Sequence, residues 1–370
     1  MQITKVEILE INLPLIHPFT TSFGTVKKRS TVLVKLTSKN GMVGWGEAAA
    51  LPAPLYSYET VKTEQFILKE FLISWILNKN FSSIGDFVQS YQAIKGHNFA
   101  KCGLESSFWC LWSLENKKSL SSLFGGTRKK ISVGESIGIK KTIEKTLEEI
   151  KLRLFQGYQR IKIKIKPNWD VKIVEAIRKK FGNILLMVDA NSSYTLNDIK
   201  VFQTLDNFEL LMIEQPLSES DIIDHSVLQK LIKTPLCLDE SIFSVDDARK
   251  AIAIGACKII NIKPGRVGGL YESIKIHDFC KEKNIPVWCG GMLESGIGRS
   301  FNIALSSLPN FTLPADMSPS TIFYKEDLIQ PTYEVDVHGN IEVPDKIGLG
   351  YDVDEKKIKK YTTSKFCLTS

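Results

Sequence analysis

From about residue 130 onward, short apolar, β-branched runs alternate with stretches that carry apolar residues at helical spacing. The runs occupy 132–139, 160–165, 185–191, 210–216, 235–241, 259–264, 286–291 and 311–317. A strand and then a helix, repeated about every 25 residues, is a βα repeat, and eight strands of this kind fit a TIM-type barrel. The helix between the last two runs is short, over 298–307. The competing architecture is an open, doubly wound sheet. Against it, no Gly-x-Gly-x-x-Gly follows the first strand, and ionisable residues stand at the ends of many successive strands. The pattern predicts an α/β fold with a TIM-type (β/α)7β barrel over 126–319.

The first 125 residues have a different texture. Alternating positions at 3–13 and 30–37 predict strands, Asn40-Gly41 predicts a hairpin turn, and 58–78 and 98–118 predict helices. Between the first two strands lies a polar loop with two aromatics, Phe19-Thr20-Thr21-Ser22-Phe23-Gly24. Strand-like alternation returns at 333–338 and 340–343, and this tail is expected to pack back on the N-terminal part. The division expected is an α+β capping domain over 1–125, completed by 320–370, on the barrel. The segment from Asp354 to Lys360 reads as a solvated, fraying helix.

Composition changes this picture little. The apolar share of 43% and charged share of 24% are those of a soluble globular protein. The net charge of +7 is spread as scattered lysines, without an arginine-rich or aromatic-interleaved stripe, so no nucleic-acid partner is expected. Seven cysteines without a CxxC motif fit reduced thiols in the cytoplasm. No signal peptide and no membrane span are expected. A homo-oligomer is the default expectation for such a barrel.

The chemistry lies at the strand ends. The second to sixth barrel strands carry Lys162 and Lys164, then Asp189, Glu214, Asp239 and Lys263 near their C-terminal ends. In a closed barrel these ends surround one mouth, so the side chains converge. Singly, a lysine in a strand is an edge residue and an acid at a strand end is a helix cap. On five consecutive units, the set is a site. Three carboxylates form a hard oxygen donor set suited to Mg²⁺, with Mn²⁺ the alternative. In Lys162-Ile163-Lys164-Ile165 both lysines point to the same side, and two adjacent ammonium groups should lower the pKa of one toward that of a base.

Lys162-Ile163-Lys164, Val188-Asp189-Ala190-Asn191, Ile213-Glu214-Gln215-Pro216, Leu238-Asp239-Glu240-Ser241 and Asn261-Ile262-Lys263-Pro264 resemble the muconate-lactonizing subgroup of the enolase superfamily. The resemblance runs over essentially the whole chain. It implies Asp189, Glu214 and Asp239 as metal ligands, Lys164 as an acid/base, and Lys263 on the opposite face of the substrate. It also implies a metal-stabilised ene-diolate formed by proton loss next to a carboxylate, the chemistry for which enolase-type sites are the standard example. Within the subgroup, Lys263-Pro264-Gly265-Arg266-Val267-Gly268-Gly269 and Trp288-Cys289-Gly290-Gly291-Met292-Leu293-Glu294-Ser295 resemble the family of o-succinylbenzoate synthases and N-succinylamino acid racemases. So do Lys166-Pro167-Asn168-Trp169-Asp170 and the stretch from Leu308 to Asp316.

That likeness implies syn-dehydration of 2-succinyl-6-hydroxy-2,4-cyclohexadiene-1-carboxylate, a step of menaquinone synthesis. Lys164 would act as base and then acid while Lys263 stays cationic. It also implies racemisation of N-succinylamino acids, with Arg266 behind Lys263 tuning it by like charge. The Phe19–Gly24 loop, with Phe19, Thr20 and Phe23, resembles the family's specificity loop; Ser136, Gly291 and Met292 would line the pocket. Two departures stand out: Lys166 and Asn168 replace an acid and a glycine, and Glu135 precedes Ser136. The five histidines show no ligand spacing, and Trp45 and Glu47 are expected in a strand of the cap. Dipeptide epimerase lacks its second acid at Asp316-Met317-Ser318, muconate cycloisomerase lacks the peripheral motifs, and a catalytically silent scaffold would have lost a ligand or a base.

Overall fold

The computed structural model describes residues 1–20 and 25–370, with Phe19, Val26 and Lys27 described by backbone alone. Strands β1 (Ile3–Thr20), β2 (Thr25–Ser38) and β3 (Val43–Ala48) form an antiparallel sheet. The Asn40-Gly41 turn joins β2 to β3, with Gly41 at φ +79°, where a side chain would be strained. The 19-residue helix Asn98–Asn116 packs on this sheet. The approach is close at Gly44 and Gly46, where a Cβ would come within 2.2 Å of the Ser107 and 2.3 Å of the Gly103 carbonyl oxygen.

The barrel strands are β4 (Lys130–Ile137), β5 (Arg160–Lys164), β6 (Leu186–Asp189), β7 (Ile213–Glu214), β8 (Leu236–Leu238), β9 (Ile259–Ile262), β10 (Val287–Cys289) and β11 (Ala315–Asp316). Their pairing is parallel and follows chain order, with β11 returning beside β4. A parallel bridge between Val287 and Phe311 spans the remaining gap, so the sheet nearly closes. Helices separate consecutive strands, several of them starting on a side-chain cap such as Thr142, Asp170, Ser244 or Ser295.

The alternation along β5 divides its residues as anticipated. Ile161, Ile163 and Ile165 pack outward against Ile173, Val174 and Ile177 of the helix Val171–Phe181. Arg160, Lys162 and Lys164 point into the barrel. Met187, Met212, Cys237, Ile259 and Trp288 fill an interior layer, and the Trp288 ring lies 5.1 Å from the Arg160 guanidinium and 4.9 Å from Lys162 Nζ.

The tail departs from expectation. Residues 333–338 form no strand, β12 (Ile329–Gln330) pairs with β14 (Asp352–Val353), and β13 (Asn340–Glu342) pairs with β4 of the barrel instead of the cap. The strand that completes the cap sheet is β15 (Thr362–Thr369), antiparallel to β1. It follows a short helix, Glu355–Tyr361, that is capped by Asp354 and packs on β1. The helix expected over 58–78 is also broken: an α-helix over Val61–Ile67 passes through a π-helical Leu68–Leu72 into a 3₁₀ turn at Ile73–Trp75.

Candidate active site

Successive barrel strands deliver their last residues to one mouth, because parallel register sets each strand end beside the next. Lys164 pairs with Asp189, and Asp189 with Glu214. Lys162 Nζ lies 2.9 Å from Glu214 Oε2, 3.1 Å from Asp189 Oδ2 and 2.8 Å from Asp316 Oδ2. Lys164 Nζ donates to the same Asp189 Oδ2 at 2.6 Å and to Asn191 Oδ1 at 2.8 Å. Across the mouth, Lys263 Nζ donates to Asp239 Oδ2 at 2.6 Å and reaches the Tyr56 hydroxyl at 3.2 Å. All six expected residues are therefore brought together and buried.

The electrostatics differ from simple like-charge crowding. Burial works against the Lys162 ammonium, but the charges of Asp316, Glu214 and Asp189 outweigh it and hold its pKa above the ordinary lysine range. Lys263 behaves alike: burial is outweighed by Tyr56, Glu214, Glu240 and Asp189. The expected depression by a neighbouring lysine is thus overturned at Lys162, which sits among carboxylates. Burial alone would raise the Asp189 carboxyl, yet Lys164 and Lys162 hold it well below the usual carboxylate range. Glu214 moves the other way, raised by burial and by the adjacent Asp189.

Three buried carboxylates on neighbouring strands are hard oxygen donors, which fits a divalent cation of the Mg²⁺ class. Glu240 adds an oxygen, Oε2, that is buried without a hydrogen-bond partner, while its Oε1 accepts from Asn191 Nδ2 at 2.9 Å. Among the described residues no three acidic or histidine groups stand at metal-binding spacing together. Each of the three is instead engaged by a cation: Asp189 by Lys162 and Lys164, Glu214 by Lys162, and Asp239 by Lys263 and Arg266.

A cavity at the mouth is lined by Ser136, Lys162, Lys164, Lys263, Gly291 and Leu293, and also by Arg299, Asp316, Ser318 and Phe323. Met292 does not line this cavity; it packs against Ala49, Ala50 and Phe99, and Leu293, at φ +56°, takes the wall position. Thr20 lies next to the barrel, its carbonyl accepting from Ile139 N at 3.1 Å. The Phe19 side chain and Phe23 lie outside the described residues. A second cavity, about 370 Å³, opens beyond Tyr56 and is bordered by Asn191, Ser192, Glu240 and Arg266.

Arg266 is fully buried, which excludes a surface charge at a helix start. It bonds Asp239 Oδ1 directly, and its Nε donates to Ile242 O at 2.6 Å. Lys263 and Arg266 therefore share one carboxylate. Tyr56, Asn191, Asn261, Arg299 and Asp316 also join the site, none of them given a role there by the sequence pattern. Asp316 obeys the strand-end rule and was readable by it. Asn191 closes the Asp-Ala-Asn motif, whereas Tyr56 reaches the barrel only because the cap folds over it.

Glu47 crosses from the cap to the barrel. Its carboxylate accepts from Ser295 Oγ at 2.6 Å, Ser295 N at 3.1 Å and Gly298 N at 3.0 Å, at the start of the helix Gly296–Ser306. Arg29, also buried, donates to Ala49 O and Ala50 O at 2.6 Å and to Leu293 O at 3.1 Å. Together they fix the cap to the loop that forms the cavity wall.

Comparison with known proteins agrees with this geometry. Residues 3–125 match the mandelate racemase / muconate lactonizing enzyme N-terminal domain, and residues 145–357 match the enolase C-terminal domain-like family. The chain is 48% identical over 363 residues to an o-succinylbenzoate synthase of Geobacillus kaustophilus, covering 98% of this chain and 96% of the relative. It is 42% identical to an N-succinylamino acid racemase of an Amycolatopsis species, with both chains covered in full. A solved enolase-superfamily structure from Listeria innocua superposes with a TM-score of 0.96 at 39% identity, over 100% of this chain and 99% of that one. By sequence, by strand order and by the residues at its barrel mouth, this chain belongs to the enolase superfamily.

Proposed function

We infer that the chain is an o-succinylbenzoate synthase that also racemises N-succinylamino acids. The observation that carries the reading is that Lys164 and Lys263, from strands four apart around the barrel, both line one cavity while each ammonium pairs with a carboxylate behind it. A substrate carbon held between two ammonium-bearing chains has a base on one face and a cation on the other. Full-length identity to named synthases and racemases supports the substrate class.

Asp189, Glu214 and Asp239 would hold Mg²⁺, which when bound withdraws charge from the substrate carboxylate and favours loss of the adjacent proton. In the synthase reaction Lys164, once free of Asp189, takes the proton next to the carboxylate of 2-succinyl-6-hydroxy-2,4-cyclohexadiene-1-carboxylate. It returns that proton to the departing hydroxyl on the same face, giving o-succinylbenzoate and water. Lys263 stays cationic beside the Tyr56 ring, 4.5 Å away, and stabilises the anion. Arg266 supports the second activity: by sharing Asp239 it weakens that carboxylate's hold on Lys263, which racemisation requires to exchange a proton.

The test is turnover of the cyclohexadiene substrate with and without Mg²⁺, alongside N-succinyl-L-amino acids in deuterated water. Metal-dependent dehydration together with α-deuteration is expected. Deuteration without dehydration would make the racemase the main activity, and neither reaction would overturn the substrate assignment.

A further inference from the structure

Glu135 is a buried acid that the reaction does not use. It stands on β4 one residue before Ser136, so its side chain leaves the barrel interior and meets the seam between β4 and β11. It is 3% exposed. Its Oε2 bonds the hydroxyl of Ser318, and Ser318 in turn lines the active-site cavity beside Asp316 and Arg299. The Tyr333 hydroxyl donates to the Ser318 carbonyl at 2.9 Å, which holds that backbone in place. A hydroxyl has one proton to give. If Ser318 gives it to Glu135, only lone pairs face the cavity; if Glu135 supplies the proton from behind, Ser318 is free to donate into the cavity.

We propose that Glu135 is a specificity-determining positioning residue, which through the Ser318 hydroxyl decides whether that cavity wall offers a donor to a substrate arm bearing a carboxylate or carbonyl oxygen. The inference deepens, and rests on, the reading of a succinyl-bearing substrate. The groups facing Glu135 bear on its charge. Burial is the largest influence and pushes its carboxyl up to about 8; Arg153 on the helix Ile143–Phe155 and Arg160 on β5 oppose this, while Asp316 on β11 and Glu149 add to it. Tyr158, before β5, is the remaining titratable neighbour; it hydrogen-bonds the Ser318 side chain, and its burial-raised pKa keeps its O–H as a donor to a Ser318 lone pair, leaving the Ser318 proton to Glu135 or the cavity. At neutral pH Glu135 is therefore mostly the acid, and Ser318 faces the cavity as a donor. Above about pH 8 the carboxylate claims the proton of Ser318, and the wall turns acceptor-only.

The experiment measures KM and kcat for an N-succinylamino acid from pH 6.5 to 9.5 in the full-length wild type, Glu135→Gln and Ser318→Ala, each with Mg²⁺. In the wild type KM should rise about tenfold toward the alkaline end beyond any change in the variants, the worth of one hydrogen bond to a charged group. Glu135→Gln keeps an N–H behind Ser318 at every pH, so its KM should stay low and flat while kcat changes little. Ser318→Ala, which removes the hydroxyl that links Glu135 to the cavity, should show a KM about tenfold higher at pH 7 and no alkaline rise. If both variants turn over and follow the wild-type KM profile, the inference is overturned alone. If the wild type turns over no succinyl substrate, the functional reading fails and the inference falls with it.

Discussion

Two regions of this molecule bury several acids each and treat them in opposite ways. At the barrel mouth Asp189, Glu214, Asp239 and Asp316 face cations: Lys162, Lys164, Lys263, Arg160 and Arg266. In the cap and at its seam with the barrel, Glu59 and Glu64 face the cap amides of Phe99, Ala100 and Ala50, and Glu47 and Glu105 the barrel amides of Ser295, Gly298 and Tyr271. Against burial, the ammonium groups of Lys164 and Lys162 hold Asp189, and the Arg160 guanidinium with Lys162 holds Asp316, below the usual carboxylate range. Amide partners do not: burial wins, and Glu59 and Glu105 rise to about 7. A partial charge on an N–H offsets only part of what burial costs an anion, whereas full charges more than offset it at Asp189 and Asp316. Glu214 marks the limit: with Asp189 beside it, Lys162 does not outweigh burial, and its carboxyl is raised. The amide-paired acids fix loops and helix starts.

The largest expected break falls at the mouth. Asp239→Asn removes the anion shared by Lys263 and Arg266, leaving two buried cations short of a partner. Thermal and urea unfolding should show a loss of about 3–5 kcal/mol, and calorimetry should show Mg²⁺ binding lost. A stability change below about 1 kcal/mol would mean that the pairs are easily replaced.

The seam predicts a pH effect of definite sign. Glu59 titrates near 7 in the folded chain against an ordinary 4.5, so the folded state holds the extra proton between those values. Stability should therefore fall as pH rises from about 4.5 to 7, by roughly 3 kcal/mol at most from this residue, with the penalty complete above that window. Glu59→Gln should flatten that share of the slope in denaturant titrations at several pH values.

A smaller effect is expected at Glu47. Glu47→Ala leaves the Ser295 and Gly298 N–H groups buried without their acceptor, a cost of about 1–3 kcal/mol. Because these amides flank the cavity wall, KM should change with stability. The control is Phe155→Ser: the side chain is 89% exposed, so unfolding free energy should shift by less than about 0.5 kcal/mol.

The two regions were not equally legible in the sequence. Lys162, Lys164, Asp189, Glu214, Asp239 and Lys263 could be read because strand ends of a βα repeat must meet, and that geometry follows from periodicity alone. Asp316 obeys the same rule, but in the sequence it stands out only as one acid of an incomplete Asp-x-Asp pair. The seam was nearly silent. Glu47 reads as an ordinary strand residue, and nothing local shows that its carboxylate reaches an amide 251 positions away. Tyr56 sits in a loop whose partners are set by docking of the cap. The tail misled for a related reason: residues 340–342 alternate as a strand should, but pattern alone does not choose between two open strand edges, and β4 took them while β15 took β1.

The central claim is that Lys164 is the base. The most direct test compares wild type and Lys164→Ala in single-turnover dehydration of the cyclohexadiene substrate with saturating Mg²⁺, after calorimetry has shown that both bind the metal. The account predicts a rate reduced by about 10²–10⁴-fold in the variant. A variant that binds metal and dehydrates at the wild-type rate would contradict it.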